Sequence, residues 1–191
     1  MRSAGLVLLA GSLAVAAETL RPAGVADVTI DGGFWGPRID LNAEVTLPHN
    51  LDFIEETGRM AAFDRAAGKP TDAVDSAVSV VESDVHKILY GAAYTLQLRP
   101  EGVDLEEIAA LAGRVIAAQE DDGFLCPRIT VQKGKSRWED LRKSHVLYSA
   151  GHLFESGVAW KEATGRTGLL DASTRFADLI DARFGPDGVR D

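Results

Sequence analysis

The side chains best suited to chemistry lie in one run, residues 144–152, which places His145, Tyr148 and His152 among small or apolar neighbours. The two histidines are seven residues apart, about two turns of a helix, so a helix here would carry both rings on one face. Polar rings on a helix face are expected where that helix borders a polar pocket. His145 is the candidate for the pocket. His152 is predicted to be a buried histidine, with Glu155 as a hydrogen-bond partner.

Carboxylates are the usual acids, bases and nucleophiles of sugar hydrolysis. The candidates are Asp84, Glu155 and residues 120–122. Asp84 is predicted first as a helix cap, and residues 120–122 as a solvated helix end. None of these carboxylates forms a convincing two-carboxylate active site with another. Cys126 lies between apolar residues and a proline, which favours a small buried side chain over a nucleophile.

The remaining histidines do not predict a metal centre. His86 precedes Lys87 and is interpreted as a surface residue, while His49 follows Pro48 where a helix is predicted to be interrupted. The H-E-x-x-H spacing is absent, and two histidines seven residues apart on one helix are too distant to ligate the same ion. No metal ligand is therefore assigned in this chain.

Charge and the N-terminus restrict the class of protein. The 191 residues include 29 acidic and 20 basic side chains, a formal net charge of −9, which disfavours nucleic acid as a partner. Arg2, an uncharged run and small residues near Ala16 predict a signal peptide over residues 1–17. That run is too short to span a bilayer. The chain is thus predicted to be secreted or periplasmic without a membrane span, and residues 18–191 to form the mature part.

Apolar residues with helical spacing predict the elements that position these groups. Helices are expected over residues 41–57 with an interruption near Pro48, from a cap at Ser83 or Asp84 to a point before Pro100, from a cap at Asp104 to the turn at residues 120–125, and over residues 144–164 and 168–183. Short connections between them predict antiparallel helix pairs, which could close as a bundle, a solenoid or a toroid.

Strand signals are few. Val28–Ile30 is a short β-like segment, and residues 124–131 are a candidate hairpin arm. The fold class predicted is therefore all-α with a short β-like segment near the N-terminus.

Several motifs, in this order, resemble the N-terminal part of glycoside hydrolase family 127, the β-L-arabinofuranosidase-type enzymes. They are Phe34-Trp35-Gly36-Pro37-Arg38, Thr57-Gly58-Arg59, Glu82-Ser83-Asp84-Val85-His86-Lys87, Ala118-Gln119 with Asp122-Gly123-Phe124-Leu125, and residues 144–152. The family typically reads D-S-D-V-Y-K at the third motif and S-H-E-L-Y-C-A-G-H at the last. Val146 and Ser149 depart from that last pattern, which bears on fine specificity.

The resemblance implies an (α/α)6 toroid, of which these helical hairpins would form part. It also implies retaining hydrolysis of a terminal arabinofuranoside by a cysteine nucleophile on a zinc ion. In the family, those residues and the zinc ligands lie beyond the position of Asp191, so zinc is expected only for the complete enzyme. Cys126 is not their substitute, and no catalytic residue is assigned in this chain. The family's sugar-contacting histidine aligns with His145, and Asp84 is the second candidate for substrate binding.

The leading hypothesis is the N-terminal part of a secreted glycosidase that acts on β-L-arabinofuranosides or related plant-glycan sugars and is inactive by itself. A non-catalytic helical carbohydrate-binding or interaction module is the alternative, as is a different (α/α)6 sugar enzyme. Apolar stripes continue to the last helix, where they include Leu169, Phe176 and Ile180. Uncovered helix faces of this kind predict self-association.

Overall fold

The computed structural model describes residues 20–71, 81–132 and 136–188, and within these ranges the chain is helical and contains no strand. The predicted signal peptide lies outside the described residues. The α-helices are α1 Gly36–Leu41, α2 Leu47–Glu56, α3 Arg59–Ala66, α4 Val81–Leu98, α5 Leu105–Ala117, α6 Pro127–Thr130, α7 Leu141–Ser144, α8 Val146–Thr164 and α9 Gly168–Phe184. Among the helices so described, none is long and apolar enough to cross a membrane.

The helices α4 and α8 form the central pair and run in the same direction. Lys87, in the second turn of α4, contacts Tyr148 in the first turn of α8. The helices α8 and α9 run antiparallel, because the Ser173 hydroxyl of α9 donates to the Leu153 carbonyl of α8 at 3.1 Å, while Gly157 approaches Leu169. In folds built from helical hairpins, the inner helices run parallel to one another, and each is followed by an antiparallel outer helix.

Local sequence signals explain most of the helix boundaries. The Asp104 carboxylate accepts the amide hydrogens of Glu106 and Glu107 at 3.0 and 3.1 Å, which confirms the predicted cap of α5. Gly165, with φ of +73°, ends α8 in the left-handed conformation that glycine adopts without a steric cost.

One local prediction was wrong. Residues 124–131 do not form a hairpin, since Pro127 starts the short helix α6. The interruption predicted near Pro48 is present as a π-helical turn over Asn42–Thr46, after which α-helical bonding resumes at Leu47. Val28 has the extended backbone predicted for the β-like segment and belongs to no strand in the described structure.

The buried stripe of α8 agrees only in part with the one that helical spacing predicts, which comprises Leu147, Ala150, Gly151, Phe154, Val158 and Ala159. Ala150 and Ala159 are buried, whereas Leu147 and Val158 are exposed, at 39% and 47%. The residues of α8 that are buried are Val146, Ser149, Ala150, Leu153, Ser156, Gly157, Ala159 and Trp160. Both stripes have helical spacing, and periodicity alone does not identify which one meets the neighbouring helices.

The contact between α8 and α9 depends on one glycine. A Cβ atom at Gly157 would lie 2.5 Å from the Ser173 hydroxyl and 3.1 Å from the Leu169 carbonyl oxygen. We expect Gly157→Ala to lower the free energy of unfolding by about 1–3 kcal/mol through overpacking. Gly151→Ala is the matched control in the same helix, because a Cβ there meets nothing within 4 Å.

The control should raise the free energy of unfolding by up to about 1 kcal/mol, since alanine is the better helix former. Urea denaturation followed by circular dichroism measures both changes. Equal stabilisation by the two substitutions would show that α8 and α9 do not pack closely at residue 157.

Candidate functional site

Polar side chains gather where α4 and α8 lie side by side near their N-termini. The Lys87 ammonium donates to the Tyr148 hydroxyl at 2.7 Å and lies 4.9 Å from the centre of that ring. The Tyr148 ring contacts those of His145 and His152 edge-on, at centroid distances of 6.1 and 4.7 Å. His152 Nδ1 lies 3.0 Å from the Glu155 carboxylate, which confirms the predicted partner, but the His152 side chain is 26% exposed and not buried as predicted. We call these five residues the inner-helix cluster.

His145 occupies the junction between α7 and α8. Its backbone has φ of +55°, a left-handed conformation that costs a residue other than glycine about 1–3 kcal/mol. Its carbonyl accepts the Ser149 amide hydrogen at 2.9 Å and so opens α8, while the side chain is exposed. The prediction of a solvated histidine at this helix start is confirmed, whereas its contact with a sugar stays a prediction.

A cavity of about 310 Å³ lies beside this junction. It is lined by Arg128, Ile129, Ser136, Glu139, Asp140, Lys143 and Ser144. The lining combines hydroxyl groups with side chains of both charges, and the volume falls at the lower end of the range typical of small-molecule sites. The cavity therefore suits a small polar molecule.

Asp84 does not cap α4, because that helix begins at Val81. Instead its carboxylate accepts a hydrogen bond from Arg59 Nε at 2.9 Å, and Arg59 Nη1 donates to the Thr57 hydroxyl at 2.6 Å. Gly58, at φ of +70°, makes the turn that brings Arg59 there. The Thr57-Gly58-Arg59 motif thus holds the carboxylate at position 84, which is 31% exposed.

His86 is buried, so the prediction of a surface histidine was wrong. Its side chain is fully inaccessible, its ring meets Phe63 edge-on at 5.8 Å, and neither ring nitrogen has a hydrogen-bond partner within the described part of the chain. Burial, reinforced by the nearby His152, lowers the pKa of His86 to about 3. The imidazole is therefore neutral at physiological pH.

A second buried group joins α4 to α6. The Glu82 side chain is 1% exposed, and its Oε1 accepts the Arg128 amide hydrogen at 2.8 Å and lies 3.6 Å from Cys126 Sγ. Its Oε2 lies 3.9 Å from Arg128 Nε. Burial, with the negative Glu82 as a further cause, raises the pKa of the Cys126 thiol above its usual range. Cys126 is confirmed as a buried side chain, and a protonated thiol is a poor nucleophile.

The described residues do not form a zinc site. No group of three or more histidine, cysteine, aspartate or glutamate side chains within the ranges that the structure covers lies close enough to hold a metal ion. Glu82 and Cys126 supply two donors, and protonation of the thiol opposes coordination. No chemical step is derived through a metal at this position.

Sequence reasoning missed the residues that hold the site together. A role for Lys87 is not predicted, because its partner Tyr148 lies 61 residues away and leaves no signal in the adjacent sequence. Arg59 and Glu82 belong to the quoted motifs, but the motifs do not indicate what their side chains contact. For Glu82 the neighbouring sequence gives no signal of burial, because most of residues 83–87 are polar.

Three comparisons with known proteins show which family the chain resembles. The sequence profile described as "Beta-L-arabinofuranosidase, GH127 catalytic domain" matches residues 27–191. The chain is 29% identical over 187 residues to the non-reducing end β-L-arabinofuranosidase of Bifidobacterium longum subsp. longum, covering 84% of this chain and 28% of that protein.

Two solved structures are similar as well. A GH127 β-arabinofuranosidase superposes with a TM-score of 0.76 at 33% identity, covering 89% of this chain and 28% of that one. The GH127 β-L-arabinofuranosidase of Geobacillus stearothermophilus T6 gives a TM-score of 0.76 at 30% identity, covering 82% and 26%. The parallel inner helices α4 and α8 are thus part of an (α/α)6 toroid, and the chain belongs to glycoside hydrolase family 127, whose N-terminal portion it matches.

Proposed function

We propose that this chain is the N-terminal part of an enzyme that hydrolyses terminal β-L-arabinofuranosides, and that it forms one wall of the sugar pocket. The inner-helix cluster carries the proposal. It brings two histidines, a tyrosine, a lysine and a glutamate to one end of two parallel inner helices. Similarity to two GH127 structures supports the substrate class.

His145 is proposed to contact the sugar, in keeping with its place in the family motif. Its ring is exposed at the start of α8 and next in sequence to a residue that lines the 310 Å³ cavity. Asp84 has a supporting role in the same wall, because one of its oxygens is already bound to Arg59. Hydroxyl groups of a furanose can donate to a histidine nitrogen or a carboxylate oxygen and accept from the lysine ammonium.

We further propose that the chain does not hydrolyse glycosides alone. The family chemistry requires several cysteines and zinc, whereas this chain has one cysteine, whose thiol is buried and protonated. Residues 1–17 are proposed as the signal peptide of an exported protein. Self-association through uncovered apolar helix faces is also proposed; Leu169 and Phe176 of α9 are buried in the described structure, so the exposed Leu147 and Val158 of α8 would be the contact residues.

The pocket wall can be tested by titrating the isotopically labelled chain with methyl β-L-arabinofuranoside and recording amide and imidazole shifts by NMR. We expect weak binding, with a Kd on the order of 1 mM, because a partial pocket supplies few contacts. The shifts should cluster at His145, Tyr148 and Lys87. Methyl α-L-arabinofuranoside, the matched control, should shift these signals less.

Shifts confined to the outer helices α5 and α9, or none for either anomer, would contradict the proposed pocket wall. Binding with a Kd of about 1 μM by a monomeric chain would instead favour the carbohydrate-binding module, since such affinity requires a complete site. Analytical ultracentrifugation of the same samples reports whether the chain associates.

A further inference from the structure

The backbone conformation of His145 needs support from outside its own helix. Both Asp140 and His145 have positive φ, at 48° and 55°, and they flank the single turn of α7. Neither is glycine, so the surrounding contacts must hold the chain in this unfavourable region. The residue that reaches this turn from elsewhere in the fold is Arg128.

Arg128 connects the turn to the buried acid on α4. Its Nη2 donates to the Ser144 carbonyl, directly before His145. Its Nε lies 3.9 Å from Glu82 Oε2, and its own amide donates to Glu82 Oε1 at 2.8 Å. A guanidinium has donors at several fixed positions, so one side chain can bond to a carbonyl and face a carboxylate at the same time.

The burial of these groups makes the arrangement specific. The side chains of Glu82 and Arg128 are 1% and 16% exposed. A buried carboxylate is costly without a partner, and it therefore fixes where the guanidinium lies. The order of contacts runs from Glu82 through Arg128 to the Ser144 carbonyl and from there to the His145 backbone.

We infer that Arg128, anchored by Glu82, is a positioning residue that holds His145 in its left-handed conformation and aims the imidazole into the pocket. The meaning for catalysis rests on the proposed function, whereas the effect on the backbone of His145 does not. The positioning of His145 and the proposed function can therefore fail separately. Cys126 contacts the same carboxylate, with its Sγ 3.6 Å from Glu82 Oε1.

The test uses the full 191-residue chain and NMR without sugar. At positive φ an amide hydrogen lies close to the α-hydrogen of its own residue, so His145 should give a strong intraresidue NOE in the wild type. Arg128→Gln should weaken that NOE and shift the His145 amide. Arg128→Lys should do so too, because a single ammonium cannot reach both Glu82 and the Ser144 carbonyl.

Glu82→Gln should give a smaller effect of the same kind. The control is Arg137→Gln, which removes a partly buried arginine whose carboxylate partners are Glu120 and Asp122. It should leave the His145 signals unchanged. Binding of methyl β-L-arabinofuranoside, measured in parallel, should weaken roughly tenfold in the Arg128 variants only.

Unchanged His145 signals in a folded Arg128→Lys or Glu82→Gln variant would overturn the inference, even if thermal stability fell. If Arg128→Gln does not fold, these two milder variants decide the question. Absence of sugar binding by the wild type, together with loss of the NOE in the variants, would leave the positioning intact and count against the proposed function instead.

Discussion

Lowering the pH from 7 to 4 should cost the protein about 3 kcal/mol of unfolding free energy through His86 alone. The pKa of His86 is lowered from 6.5 to about 3 in the folded chain, so the unfolded chain binds the proton more readily. The associated stability is complete above pH 6.5 and is lost as the pH falls towards 3. The effect is large because burial desolvates the ring, and because neither ring nitrogen has a partner among the described residues that would stabilise the imidazolium.

His86→Phe should remove this part of the pH dependence. Phenylalanine leaves no unpaired nitrogen beside Phe63 but is larger than histidine, so overpacking should cost about 1–3 kcal/mol at every pH while the pH-dependent loss disappears. Urea unfolding at pH 7, 5.5 and 4 measures the difference. His49→Gln, at an exposed histidine, is the control and should follow the wild type. Parallel pH profiles for all three proteins would show that His86 is not held neutral by burial.

His145→Ala should lower kcat/KM by about 100-fold in an enzyme that contains this chain as its N-terminal part. The assay requires a complete toroid. Residues 27–191 would replace the matching part of the Geobacillus stearothermophilus T6 enzyme, to which the structure is similar. Loss of a contact that strengthens in the transition state should appear mainly in kcat, with KM changed less.

The matched control is Arg142→Ala, an exposed residue of α7 that does not belong to the inner-helix cluster. Its kcat/KM should stay within about twofold of the unsubstituted chimera, which corresponds to less than about 0.5 kcal/mol. Equal losses in the two variants would assign the effect of His145→Ala to disturbance of the turn and not to the imidazole.

The sequence predicted the helical elements well because amphipathic spacing and capping are local signals. The stripe of α5 and its Asp104 cap are examples. Residues 144–152 likewise predicted the exposed helix start at His145. The errors arose where the outcome depends on a distant partner. Neither the burial of His86 nor the pairing of Asp84 with Arg59 can be read from neighbouring letters.

Dependence on distant partners also explains why the buried face of α8 was predicted only in part. The residues that helical spacing assigns to the inward face are Leu147, Ala150, Gly151, Phe154, Val158 and Ala159. Of these, Ala150 and Ala159 are buried as predicted. Val146 and Leu153 are also buried, whereas Leu147 and Val158 are exposed. When a helix has apolar residues on two faces, its sequence does not show which face is turned towards the core. Only the packing against neighbouring helices decides this.

The most direct test of the central claim is the initial rate at which the unsubstituted chimera releases p-nitrophenol from p-nitrophenyl β-L-arabinofuranoside. If α4 and α8 supply one wall of this pocket, the folded chimera should hydrolyse the β-L-anomer with a kcat/KM within about 100-fold of the parent enzyme, a difference of about 3 kcal/mol. It should not hydrolyse the α-L-anomer. A chimera that folds, as judged by circular dichroism and a cooperative melt, yet hydrolyses neither anomer would contradict the account.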